Sequence, residues 1–205
     1  MMGKKKRLGI MGGTFDPIHV GHLMTAEAVR DEYNLDKVIF IPAAVPPHKQ
    51  QQSVTMAKHR YVMTVLATCS NPNFEVSDIE MNRPGPSYTI DTISQLITQY
   101  GKGTEFFFIT GADAIQEIHT WDRIDELLEL CHFIGASRQG CLPDVDQIKE
   151  SFGELGKRKI HRLETPELEI SSTDIRNRIK KGYSIKYIVP SCVEQYIYKE
   201  GLYKD

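Results

Sequence analysis

Residues Arg7 to His22 read RLGIMGGTFDPIHVGH. Arg7–Met11 is a short apolar run that reads as a strand. A loop follows that carries a glycine pair, a proline and two histidines. Beyond it, Gly21–Tyr33 reads as a helix, with Leu23, Ala26 and Val29 near helical spacing. Strand, Gly-rich loop and helix together place a helix N-terminus at the C-terminal edge of a sheet. Free backbone N–H groups and the helix dipole favour phosphate there. Open α/β sheets bind ligands at that same edge.

Outward from this unit, strands and helices keep alternating. Val38–Ile41 reads as a buried strand stopped by Pro42, and Ala43–Val54 as a loop. Met56–Ser70 reads as a helix with Tyr61, Val65 and Leu66 on one side. Phe74–Ile79 reads as a strand, and Thr89–Tyr100 as a helix ended by Gly101. Glu105–Ile109 and His132–Ala136 read as strands, with a short helix, Ile124–Leu130, between them. Leu142–Gly156 is polar and Gly-punctuated and reads as a mobile excursion more than a domain boundary. Ser171 followed by Asp174 matches a capping box, for a helix ending at Gly182. Ser191 and Glu194 repeat the pattern, with Pro190 at the boundary and Gly201 as a stop. The fold class expected is α/β, doubly wound, with a mainly parallel sheet. One domain over 1–205 is expected, with a small helical C-terminal part at about 171–205.

The 205 residues suffice for one good core, and the formal net charge of −2 gives no global case for nucleic acid or an anionic membrane. Cys69, Cys131, Cys141 and Cys192 form no CxxC pair and read as free thiols in a reducing compartment. Cys131–His132 has no second closely spaced pair to make a metal site. MMGKKKR is basic, but no apolar segment long enough for a signal follows it. A cytoplasmic protein is expected. Whether it forms a homo-oligomer is left open.

The opening loop fits neither common phosphate motif. Walker A requires a lysine that is absent here, and Gly9, Gly12, Gly13 and Gly21 lack the GxGxxG spacing. Donors for phosphate must come from elsewhere, and His19 and His22 supply them. Three residues apart at a helix start, both rings can point to one side. Gly21 between them would let phosphate approach the backbone. Two plainer readings compete. The glycine pair can simply make a tight turn with the histidines as polar caps, or the histidines can be a metal pair lacking its third ligand.

The whole string resembles the nucleotidylyltransferase superfamily, whose signature is a Gly-rich turn leading into HxGH. Here that is Gly12-Gly13-Thr14-Phe15-Asp16-Pro17 and His19-Val20-Gly21-His22. The superfamily pairs it with an ISSTxIR-like helix start, present as Ile170–Arg176. Within the superfamily, the remainder resembles the bacterial nicotinate-nucleotide adenylyltransferases. The matching blocks are Pro46–Lys49, Pro86–Thr92, Gly111–Asp113 and Trp121. The resemblance implies a Rossmann-like fold and transfer of AMP from ATP to nicotinate mononucleotide, with Mg²⁺ accompanying ATP and no metal site on the protein.

It also implies roles, residue by residue. His19, His22 and Arg176 would be catalytic, stabilising charge on the phosphates. Gly12, Gly13, Thr14, Phe15, Ser172 and Thr173 would meet ATP, and Arg138 would line its adenine side. His48 and Lys49 would meet the mononucleotide phosphate. Thr89 would offer a backbone N–H to the nicotinate carboxylate, Asp113 would cap its helix or bind ribose hydroxyls, and Trp121 would stack on the pyridine ring. Rival readings are the same chemistry on another phosphorylated acceptor, such as nicotinamide mononucleotide or phosphopantetheine, and a nucleotide-binding regulator without turnover. A redox enzyme holding NAD is disfavoured by the missing GxGxxG.

Overall fold

The computed structural model describes residues 5–46, 54–138, 145–165 and 170–204. Six strands form one sheet: β1 (Arg7–Gly13), β2 (Lys37–Pro42), β3 (Phe74–Val76), β4 (Glu105–Gly111), β5 (His132–Arg138) and β6 (Ile160–Thr165). Every pairing is parallel, in the order β3-β2-β1-β4-β5-β6. The chain winds outward from β1 to one side, returns to β4, and winds outward to the other. The fold is doubly wound α/β, and its switch point lies between β1 and β4.

Side chains alternate between two buried faces, as a parallel sheet covered on both sides requires. On β2, Val38 and Phe40 enter one apolar cluster while Ile39 and Ile41 enter the other. On β4, Phe107 and Ile109 oppose Phe106 and Phe108 in the same way. The first face is covered by α1 (Val20–Glu32), α2 (Ala57–Thr68), α8 (Ser172–Lys180) and α9 (Ser191–Lys199), whose Ala26, Met63, Ile175 and Val193 join its cluster. The second is covered by α3 (Thr89–Tyr100), α4 (Ala112–Gln116), α5 (Ile124–Leu130), α6 (Val145–Ser151) and α7 (Gly153–Lys159). No described helix is long and apolar enough to cross a membrane.

The structure departs from the sequence reading in several places, among them β3, which ends at Val76 where the reading ran to Ile79. Most of Leu142–Gly156 is helical, in α6 and α7, and feeds the edge strand β6. Those helices bury little beyond Val145 and Gly156, so their apolar signal is weak. On α2 the buried side is Arg60, Met63, Thr64, Ala67 and Thr68, while Val65 lies exposed. Tyr61, Val65 and Leu66 misled because a buried arginine and two threonines interrupt the true apolar face. On α9 the N-cap is Pro190, with no side-chain cap, so Ser191 is the first helical residue. The serine cap does form on α8, where Ser171 Oγ accepts from Asp174 N–H at 3.0 Å. Finally, Gly12 and Gly13 make no tight turn. They are the last residues of β1, paired with Ile41 and Pro42. Cys69, Cys131 and Cys192 are free.

Candidate active site

All strands being parallel, their C-terminal ends share one edge. β1 and β4 therefore lead into His19, His22 and Asp113 at that edge.

The β1–α1 loop is built by close packing. A Cβ on Gly12 would lie 2.9 Å from the Phe108 ring, which keeps this position glycine. The left-handed backbone falls on Phe15 (φ 49°), not on a glycine. Phe15 is 2% exposed, and its ring meets His22 edge-on at 5.1 Å and Phe40 at 6.0 Å. Only the backbone of Phe15 can face a ligand, because its ring belongs to the core.

His19 caps α1 and stacks on His22, with ring centroids 3.7 Å apart. His22 Nδ1 accepts from His19 N–H at 3.1 Å, so the ring proton of neutral His22 sits on Nε2. His19 Nδ1 is buried without a partner among the described residues. Burial lowers the His19 pKa to about 4. Burial, and then His19 beside it, holds His22 well below the ordinary imidazole value. Both rings are thus neutral at pH 7 before an anion arrives.

The amides at this helix start are largely engaged: His19 N–H on His22, Val20 N–H on Ile188 O at 3.1 Å, and His22 N–H on His19 O at 3.0 Å. Few amides are left at this helix start, which is consistent with the imidazoles being its donors. Gly21 also has a different reason. A Cβ there would sit 3.1 Å from His19 Nδ1, so the glycine makes room for the imidazole.

Helix α8 joins this loop directly. Arg176 Nη1 donates to Asp16 O at 2.7 Å, and its Nη2 donates to Thr173 Oγ1 at 3.2 Å. Ser172 Oγ donates to Pro17 O at 2.9 Å. The Ser172 hydroxyl is thereby a tether between the two motifs, while Thr173 stays exposed.

On the other side of the switch point, Trp121 packs edge-on against Phe108 (5.5 Å, 89°) and Phe133 (5.6 Å, 77°) and remains partly exposed. Phe108 is the ring that fills the space over Gly12, so it links Trp121 to the phosphate loop. Thr89 opens α3 behind the N-cap Tyr88. That helix start is tied to the loop after β2: Ser87 Oγ accepts from Ala44 N–H at 3.1 Å and Val45 N–H at 3.3 Å. Glu80, 7% exposed, takes the Thr92 hydroxyl at 2.7 Å and is also bonded by Ser87 and Ala44. Asp113 is the second residue of α4, whose N-cap is Gly111, so Asp113 is not the cap expected of it. Arg138 ends β5. His48 and Lys49 lie outside the described residues.

Three polar residues escaped the sequence reading, two of them buried and the third, Tyr203, half-buried. Arg60, 1% exposed, donates to Thr55 O (2.7 Å), Thr14 O (2.7 Å) and Ala44 O (3.2 Å). It pins both substrate-side loops at once. Asp16, 4% exposed, accepts from Thr55 N–H at 3.2 Å and from the Tyr203 hydroxyl at 2.7 Å. Asp16 stands inside the quoted motif, which was signal enough to single it out. Nothing local in the sequence marks Arg60 or Tyr203. Among the described residues, no group of three His, Cys, Asp or Glu side chains could hold a metal ion.

Neutral imidazoles at the start of α1, with a guanidinium and hydroxyls brought to them by α8, suit charge that develops on a phosphate chain. On a doubly wound sheet with the loop at its switch point, that chemistry defines a nucleotidyltransferase. The cytidylyltransferase-like family model matches residues 10–178. A "probable nicotinate-nucleotide adenylyltransferase" of Thermoanaerobacter sp. is 55% identical, covering 99% of this chain and 97% of that one. Its counterpart in Moorella thermoacetica is 54% identical over 97% of this chain and 92% of its own. The structure of Plasmodium falciparum nicotinic acid mononucleotide adenylyltransferase complexed with NaAD superposes with TM-score 0.80 over 97% of each chain, at 23% identity, and shows the fold. The chain belongs to the cytidylyltransferase-like family and, within it, to the nicotinate-nucleotide adenylyltransferases.

Proposed function

We propose that the chain moves AMP from ATP to nicotinate mononucleotide, giving deamido-NAD and pyrophosphate in NAD biosynthesis. The observation that carries this reading is the junction of the two motifs, where Arg176 and Ser172 bond directly to the carbonyls of Asp16 and Pro17.

A 5′-phosphate oxygen of the mononucleotide attacks the α-phosphorus of ATP in line. One P–O bond forms as the α–β bridging P–O bond breaks, and pyrophosphate leaves with the bonding pair. Phosphate is already anionic at pH 7, so no protein nucleophile takes part. Catalysis is positioning and charge stabilisation. His22 gives its Nε2–H to a phosphate oxygen, since Nδ1 is taken by His19 N–H. His19 offers its unpartnered ring nitrogen beside it. Arg176 balances charge on the departing pyrophosphate, with Thr173 beside it. Gly12, Gly13, Thr14 and Phe15 line ATP with backbone, and Ser172 holds the two motifs together. Arg138 lines the adenine side.

For the acceptor, the start of α3 at Thr89 gives an N–H to the carboxylate, and the open face of Trp121 stacks on the pyridine ring. Asp113 takes ribose hydroxyls, and His48 and Lys49 meet the phosphate. Mg²⁺ would accompany ATP, ligated by its phosphates, and would neutralise part of their charge. The chain acts as one nucleotidylyltransferase domain over 1–205, with α8 and α9 sharing the core of the sheet. We place it in the cytoplasm.

The test is pyrophosphate release from ATP and Mg²⁺ with each acceptor in turn. Nicotinate mononucleotide should give the highest kcat/KM. Release with phosphopantetheine or nicotinamide mononucleotide but not with nicotinate mononucleotide would overturn the acceptor assignment, and no turnover with any would favour a regulator.

A further inference from the structure

Asp16 poses a physical problem. It is a carboxylate in the same loop as His19 and His22, where a polyanion is to bind. Turned toward that polyanion it would repel it, by roughly several-fold in affinity even at the dielectric of bulk water. Yet Asp16 is only 4% exposed, and its two carboxylate oxygens are held from within. Thr55 N–H takes Oδ2 at 3.2 Å, and the Tyr203 hydroxyl takes Oδ1 at 2.7 Å.

Tyr203 comes from the far end of the chain, 187 residues away. Its placement is built. Gly201 (φ 65°) turns the chain after α9, Leu202 N–H bonds Ile197 O at 3.0 Å, and Tyr203 itself is left-handed (φ 63°). Leu202 and Tyr203 then pack on the cluster that covers the first face of the sheet. Burial, and then the carboxylate of Asp16, push the phenol upward, so the hydroxyl keeps its proton and remains a donor. The main chain of the same Asp16 carries the carbonyl that anchors Arg176 at 2.7 Å. One residue thus receives the C-terminal tyrosine on its side chain and the catalytic arginine on its backbone.

We propose that Tyr203 is a positioning residue for the triphosphate: its hydroxyl keeps the Asp16 carboxylate turned into the protein, so that the loop presents donors and no opposing charge to ATP. This rests on the reading that His19, His22 and Arg176 meet ATP phosphates. It does not rest on the identity of the acceptor.

Tyr203→Phe removes one oxygen and keeps the ring and its packing. ATP–Mg²⁺ affinity is read by calorimetry at a temperature where thermal melting shows both proteins folded, alongside KM for ATP and for nicotinate mononucleotide. Y203F should bind ATP about tenfold more weakly, matching the loss of one hydrogen bond to a charged group. KM for the mononucleotide should change less than twofold. Adding Asp16→Asn to Y203F removes the charge and should restore ATP affinity to within about threefold of wild type, which a merely structural tyrosine would not do. A lowered melting temperature with unchanged ATP affinity would overturn the proposal, and so would a double variant no better than Y203F. Wild-type protein that binds ATP yet adenylylates nothing refutes the proposed function and leaves the Tyr203 comparison readable.

Discussion

Arg60→Met tests whether one buried cation organises both substrate-side loops. The guanidinium is 1% exposed and donates three hydrogen bonds, to the carbonyls of Thr55, Thr14 and Ala44. Methionine fills similar space and donates nothing, so three carbonyls lose their partner. Each hydrogen bond from a charged donor nets about 1.5–3 kcal/mol. Three on one side chain share strain and do not add fully. Removing the charge also returns part of its desolvation cost, which burial imposes on Arg60. The net expectation is a loss of about 3–5 kcal/mol, the usual result of breaking a buried polar network. For a chain of this size that corresponds to a melting temperature lower by roughly 6–20 °C. Urea denaturation and calorimetry measure it. Arg60→Lys should recover only part, because one ammonium cannot span three carbonyls that a planar fork reaches. If R60M lost less than about 1 kcal/mol with unchanged kcat/KM, the loops would be held by something else.

Two other predictions follow from the same site. His19 has a folded-state pKa of about 4 against 6.5 for a free imidazole. Between those values the unfolded chain binds more protons, so the stability from neutral His19 is complete above pH 6.5 and is lost as pH falls toward 4, by roughly 3 kcal/mol. Denaturation at pH 7 and pH 4.5 should show the loss, and His19→Gln should flatten it; an identical slope in H19Q would sink the argument. Gly12→Ala would put a methyl 2.9 Å from Phe108, the ring against which Trp121 packs. Overpacking should cost about 1–3 kcal/mol. Displacing the aromatic pair should raise KM for nicotinate mononucleotide more than KM for ATP, and steady-state kinetics with unchanged values for both would contradict the link.

Much of the site was legible because its logic is local. Three residues on a helix turn bring His19 beside His22, and a serine three residues before Asp174 caps α8 whatever the rest of the chain does. Helix ends at Gly101 and Gly182 follow from their left-handed backbone, φ 86° and 70°. The alternation of β2 and β4 between two apolar faces needed no partner strand to be read. β6, α6 and α7 were not legible, because an edge strand and two helices that bury little carry weak periodicity.

The alternation of strands and helices, the serine cap of α8, and the two motifs that carry His19, His22 and Arg176 are local features that the sequence alone carries. Tertiary structure alone decided how those motifs are held. Nothing local marked Arg60, whose three carbonyl partners come from two different loops. Asp16 found its donors at Thr55 and at Tyr203, the latter near the far end of the chain. Even the charge state of the imidazoles is set this way: the fold removes them from water and keeps the rings neutral. A polar group's partner and its solvation depend on what distant segments bring to it, and no local pattern of residues encodes that.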